Sequence, residues 1–325
     1  MKLVHYRGAV PNFGDDLNSV LWPALAPGLF DDDASEIFMG IGTIIGMQTP
    51  PHAKHHVFSS GIGNDKLAAW HGRDVSYWCV RGPLSAQLLD LPPDMALTDG
   101  AILAPLASVF PAGAAPGPAT LVIPHFQTLE HPGWAEVAQQ TGFEVLDPRA
   151  DPVPVIARIA RARLVLTESL HGAILADTYG VPWRAFATSG NFGTTKFVDW
   201  CLSLGMEFNV TYIPPPSAGH ILQHGKGQCV WGQTVTPTIA DAVAAFQTRV
   251  GAPGTITLRD RVKSHIKQRA LVQRLLPYST SRTAAALTRL ANGPAQLSRE
   301  ATRQRLQERM ITRLAELTLR HRALV

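Results

Sequence analysis

Between residues 120 and 204, short runs of purely apolar residues alternate with stretches long enough for helices. A run such as Leu164-Val165-Leu166 is too short for a helix and too uniformly apolar for a half-exposed strand. It reads as a strand of a parallel sheet covered on both faces, and regular strand–helix alternation builds an α/β layer. Strands are expected at 120–123, 143–146, 164–166 and 183–186, with helices at 133–140, 153–161, 172–179 and 194–204. Residues 1–110 repeat the theme less evenly. Strands are expected at 2–6, 56–60 and 75–80, a Gly-punctuated strand and loop at 36–45, and helices up to Leu25 and at 84–89. Residues 111–118, rich in Pro, Gly and Ala, form the clearest linker.

This organisation predicts an α/β protein of two Rossmann-like domains facing a cleft, residues 1–117 and 118–254, followed by a basic helical extension at 255–325. Val262, Ile266, Ala270 and the Leu275/Leu276 pair recur near helical spacing in that extension, as do Leu306, Met310, Leu314 and Leu317. The extension carries 15 Lys and Arg against 4 Asp and Glu, a balance of +11. The total is +4, so residues 1–254 stand at −7 and have no charge footprint for nucleic acid. The extension reads as a solvated helical face packed on the core, a peripheral contact with anionic lipid, or a partner surface.

Cys79, Cys201 and Cys229 are odd in number and far apart, which suits a reducing compartment better than a disulfide framework. No signal-peptide pattern or membrane-spanning apolar run is evident. A cytoplasmic protein is expected, with the inner face of the cell membrane as its one peripheral station. No metal site is expected. His52, His55 and His56 lie beside Pro50-Pro51, which reads as exposed loop, and the i, i+4 pair His220/His224 lacks a third ligand.

Open α/β sheets bind ligands where strands end and helices begin. Asn12 to Asp16, Gly61 to Asn64, Arg81, Asp99, Glu168 to His171 and Gly193 to Lys196 all fall at such places. His171 is the one histidine there with an ordinary pKa near neutrality. Arg81 and Lys196 supply cations, and helix N-termini attract anions. An anionic small-molecule substrate with acid/base chemistry by His171 follows. Asn12, Gly14 and Asp15 either contact substrate or shape a turn and cap a helix. Glu168 either orients His171 or ends its strand. Gly61 and Asn64 belong to a lone Gly-x-Gly loop of low specificity.

Three segments in order carry a resemblance: Asn12-Phe13-Gly14-Asp15-Asp16-Leu17; Val80-Arg81-Gly82 with Ser85; and Ser169-Leu170-His171-Gly172 with Ala176 and Gly180-Val181-Pro182. Together they resemble the polysaccharide pyruvyl transferase family across roughly two-thirds of the chain. That resemblance implies a fold like the two-domain GT-B glycosyltransferases and transfer of pyruvate from phosphoenolpyruvate to a sugar of a bacterial exopolysaccharide, as a ketal on a lipid-linked repeat unit. No cofactor is implied. His171 would be the general acid/base, Arg81 a clamp on carboxylate or phosphate, and Lys196 the partner of the leaving phosphate, with Lys226 as its rival. Many family members carry Arg where this chain has Ser169, which would then contact substrate without a charge. A sugar-nucleotide glycosyltransferase on the same scaffold is the second reading, although no Glu-rich signature follows Ser189. A non-catalytic sugar-phosphate-binding protein is the third.

Overall fold

The computed structural model describes residues 1–115, 117–227, 230–251 and 278–323. It holds two sheets. The first is wholly parallel, in the order β1 (Lys2–Val4), β2 (Glu36–Met39), β3 (Lys54–Phe58), β4 (Val75–Cys79). Helices α1 (Phe13–Asp16) and α2 (Asn18–Leu25) connect β1 to β2. The later connections hold only loops and a 3-10 turn, Leu67–Trp70, so this half is α/β with few helices of its own. Beyond β4 come α3 (Pro83–Leu88) and a 3-10 helix, Gly100–Leu106.

The second sheet carries the regular alternation expected from the sequence. Its elements are β5 (Thr120–Ile123), α4 (Phe126–Leu129), α5 (Trp134–Thr141), β6 (Glu144–Val145), α6 (Pro152–Ile159), β7 (Leu164–Thr167), α7 (Leu170–Thr178), β8 (Trp183–Ala187), α8 (Thr194–Ser203), β9 (Val210–Tyr212), α9 (Gly219–His224) and β10 (Thr234–Val235). The strand order is β10-β9-β8-β7-β5-β6, parallel except for β10. The chain leaves β5 toward β6 and returns on the other side of β5 as β7. The gap between the C-terminal ends of β5 and β7 is therefore the topological switch point, where such sheets bind ligands. Three helices complete the described chain: α10 (Ile239–Gly251), α11 (Thr280–Ala291) and α12 (Glu300–Arg322).

Every residue of β5 and of β7 is buried, as their apolar runs require. One continuous hydrophobic cluster runs from Phe38 and Val57 under the first sheet to Val165 and Ala185 under the second. The expected stripe Leu306, Met310, Leu314 and Leu317 is the buried face of α12 and joins that cluster. Arginines of α12 donate to carbonyls of the first half, Arg313 to Trp78 and Arg322 to Pro27 (3.1 Å), while Arg320 stacks over Trp78. Val262, Ile266, Ala270 and Leu275/Leu276 lie outside the described residues, as does Cys229. Cys79 and Cys201 are buried and free.

One expectation is overturned. His55 does not lie in an exposed loop beside Pro50-Pro51; it is buried on β3, as is His56, the first residue of the strand expected at 56–60. Strand pairing begins at Lys54, soon enough after the prolines to carry both rings into the sheet. His56 meets the Glu36 carboxylate at 3.0 Å through Nε2 and accepts from Trp78 Nε1 at 3.1 Å.

Candidate active site

A cavity of about 420 Å³ lies at the switch point, its wall built by both halves of the chain. Residues 125–128 and 168–171, the continuations of β5 and β7, supply one side. Asn12 and Asp15, at the cap and in the turn of α1, and Thr43 and Asn64, from loops of the first half, supply the other. The halves meet here because Phe13 N–H donates to Pro148 C=O (2.9 Å), docking α1 against the segment before α6.

Ser169 caps α7, its hydroxyl accepting from Gly172 N–H at 3.3 Å. That cap sets His171 in the first helical turn, 7% exposed, with its ring on the cavity wall. The ring packs against α1. A Cβ on Gly14 would lie 1.9 Å from His171 Nδ1, so only glycine fits there. On the other side, Nε2 faces Asp99 Oδ2 at 3.8 Å, and both atoms are buried without a hydrogen-bond partner. Asp99 is held by its other oxygen, which accepts from Ala101 N–H (3.0 Å) at the start of the 3-10 helix. Burial, reinforced by the Lys196 and Arg81 cations, pushes the His171 imidazole down to about 3. Burial raises the Asp99 carboxyl to about 6. The uncharged imidazole is thus the resting form at neutral pH.

Two cations line the cavity. Lys196 stands in the first turn of α8, and its ammonium makes no hydrogen bond or ion pair among the described residues. Burial and the neighbouring Arg249 lower it to about 8, although the Asp15 carboxylate opposes them. Arg249, from α10, reaches across the opening and donates to Asn64 Oδ1 (3.4 Å) and the Asn191 carbonyl (3.2 Å). Asp15 accepts from Asn12 Nδ2 at 3.0 Å, and burial lifts its carboxyl to about 6. Deeper in, His220 Nε2 lies 2.8 Å from Ser189 Oγ and 3.1 Å from Thr128 Oγ1.

The polysaccharide pyruvyl transferase family model matches residues 21–190, just over half of the chain. The chain belongs to the polysaccharide pyruvyl transferase family. It is also 29% identical over 319 residues to the succinoglycan biosynthesis protein ExoV of Rhizobium meliloti, an alignment covering 96% of this chain and 97% of that protein. The enzyme is accordingly a transferase, and pyruvyl groups and a polysaccharide acceptor are the family's subject.

Of the residues expected at the pyruvyl transferase's site, Asn12, Asp15, Asn64, Glu168, Ser169, His171 and Lys196 line the one cavity. Arg81, Gly61 and Gly14 do not. Arg81 is fully buried and does not present its guanidinium as a free clamp. Nε donates to Asp199 Oδ2 (3.1 Å), Nη1 to Thr43 Oγ1 (2.9 Å) and Nη2 to the Ile62 carbonyl (2.9 Å). Asp199 also accepts from Ser85 N–H (2.9 Å) and Ser85 Oγ (2.6 Å), so this ion pair pins α8 to the start of α3. Gly61 belongs to that brace. A Cβ there would come within 2.2 Å of the Arg81 guanidinium carbon.

Glu168 does not orient His171. It ties three strand ends together, accepting from Thr188 N–H and Oγ1 (both 2.7 Å) and from His125 N–H (3.2 Å). The carboxylate behind the imidazole is Asp99. Arg249, His125 and His220 also line the cavity and were not singled out from the sequence for this site. No motif marks them, and only the fold around the switch point brings them in. Lys226 is not among the cavity-lining residues; its ammonium lies over the Trp231 ring.

Proposed function

We propose that the enzyme transfers the pyruvyl group of phosphoenolpyruvate to two hydroxyls of one sugar in an exopolysaccharide repeat unit, closing a ketal and releasing phosphate. The observation that carries this reading is the meeting of a lysine unpaired among the described residues, a second cation and an uncharged histidine in one cavity at the switch point. A trianionic donor needs cations at two places. Lys196, a compact point charge, suits the leaving phosphate, and the planar fork of Arg249 suits the carboxylate. Arg249 would supply from α10 the guanidinium that Ser169 leaves out of α7.

In the reaction a proton joins the methylene carbon and a sugar hydroxyl oxygen bonds to the carbon bearing the phosphate, losing its own proton. The phosphate then departs with its C–O electron pair, and the second hydroxyl closes the ring and releases another proton. His171 would act as the general acid/base, a role contributing about 10²–10⁴-fold. The bound anion offsets the Lys196 charge that disfavours imidazolium, so donor binding itself raises the proton affinity of His171. Asn12, Asp15 and Asn64, on the wall supplied by the first half, would meet the acceptor hydroxyls.

The acceptor class follows from the family, and the relative's role in succinoglycan biosynthesis supports an exopolysaccharide. Lipid linkage of that acceptor, a cytoplasmic location and a membrane contact through the basic extension belong to the same reading. So does a GT-B-like division into domains at 1–117 and 118–254 with an extension at 255–325. Among the described residues no helix is long and apolar enough to cross a membrane.

The test is incubation with phosphoenolpyruvate and a lipid-linked oligosaccharide extract. Phosphate release together with a gain of pyruvate mass on the glycan is expected, and His171→Ala should lower turnover about 10²–10⁴-fold with the fold intact. Turnover with a sugar nucleotide but not with phosphoenolpyruvate would sink the proposal.

A further inference from the structure

His171 Nε2 and Asp99 Oδ2 are two buried polar atoms, both unpartnered, that face each other. A buried polar atom left unpaired is costly, and such pairs in a native structure call for an explanation. Their separation of 3.8 Å is about 1 Å beyond a hydrogen bond, within reach of a small ring movement. Catalytic hydrogen bonds are often long in empty sites and tighten with substrate.

We propose that Asp99 is a positioning residue that shares a proton with His171 Nε2, so that the uncharged imidazole can donate from Nδ1 to the substrate. This rests on the reading of His171 as the acid/base group. With Asp99 protonated, the Oδ2 proton points at Nε2 and the ring carries its own proton on Nδ1, beside Gly14. When Nδ1–H passes its proton to the methylene carbon, the Oδ2 proton moves to Nε2. The pair ends as Asp99 carboxylate and neutral imidazole, one proton poorer, and no free imidazolium forms inside the protein. The order of proton affinities agrees, since burial favours the protonated acid on Asp99 and disfavours the charged ring on His171.

The charged groups around the pair are few. Arg81 after β4 and Lys196 on α8 act on His171. Arg81 and Asp199 on α8 act on Asp99, which in turn acts on Cys79 at the end of β4 and on Asp15 in α1. Arg81 and Asp199 already bind each other, which leaves Lys196 and Asp15 as the charges of the set without an ion pair among the described residues.

The test combines two readouts. In the substrate-free enzyme, the His171 ring-nitrogen resonances should change protonation pattern near the titration of Asp99, between about pH 4 and 8, while the ring stays uncharged. Asp99→Asn keeps the cap on Ala101 N–H and should abolish that inflection. In turnover, Asp99→Asn should lower kcat at least tenfold, leave the donor KM within about twofold, and lose the alkaline limb of the wild-type kcat profile. A wild-type ring with no inflection in that range would overturn the proposal, as would an Asp99→Asn enzyme with wild-type kcat and pH profile. The resonance experiment needs neither donor nor acceptor. A failure of the pyruvyl-transfer reading would therefore show only in the assay, and a failure of the pair would show in both.

Discussion

At the scale of single residues, Lys196 ties charge most directly to function. A lysine held down at about 8 loses its proton as pH rises through that value. The anchor proposed for an anionic donor is then full at pH 7 and fades above pH 8. The donor KM should therefore rise across that interval, while Lys196→Arg, whose side chain stays charged, should give a flat KM over the same range. A wild-type KM that does not change between pH 7 and 9 would remove Lys196 from donor binding. The same residue shows what the sequence made legible. Lys196, His171 and Asp15 were found because they sit at strand ends or helix starts, and topology carries such positions to one place. Arg81 sits at an equally favourable position, yet its guanidinium is bound by Asp199, 118 residues away in the chain. Nothing in local sequence distinguishes a free guanidinium from a paired one. Glu168 and Asp99 make the complementary case. The acid three residues from His171 faces other backbone groups, and the one 72 residues upstream lies behind the ring because the 3-10 helix packs on α7.

At the scale of elements, the Arg81–Asp199–Ser85 network decides where α8, and with it Lys196, stands relative to the first sheet. Both charges are fully buried, and removing one leaves the other without its counter-charge, which costs about 3–5 kcal/mol. Asp199→Ala should lower the unfolding free energy in urea by that amount. The paired change Arg81→Met with Asp199→Leu should recover much of it, because neither charge then remains. The donor KM should rise in both, since α8 loses its anchor. An Asp199→Ala protein as stable as the wild type would exclude the brace. The regular βαβ rhythm of the second sheet was readable from the chain, since it needs only local period and length. The first sheet was less so, because beyond β2 its strands are joined by loops and turns that follow no period.

At the scale of the whole molecule, the two sheets share one hydrophobic cluster, and the C-terminal helices fasten them further. Ser298 donates twice to Asp177 at the end of α7, and from there α12 crosses to Trp78, Ile102 and Pro27 in the first half. Unfolding should accordingly be a single cooperative transition. Tryptophan fluorescence and far-ultraviolet circular dichroism should give coincident denaturation curves, and two resolved steps would show that the halves are energetically separate. The expected linker at 111–118 reads as a seam in the sequence, and contacts that only the folded chain reveals run from one side of it to the other.

Those crossings bear on how such an enzyme could be recombined with its relatives. Gly14 with His171, Asp99 with His171, and Arg81 with Asp199 each place one member before the linker and one after it. A chimera joined at the linker would inherit half of every pair from each parent, and its candidate site would be assembled from pieces never selected together. Properties are therefore exchanged between family members more easily by grafting single loops onto one intact parent than by trading halves.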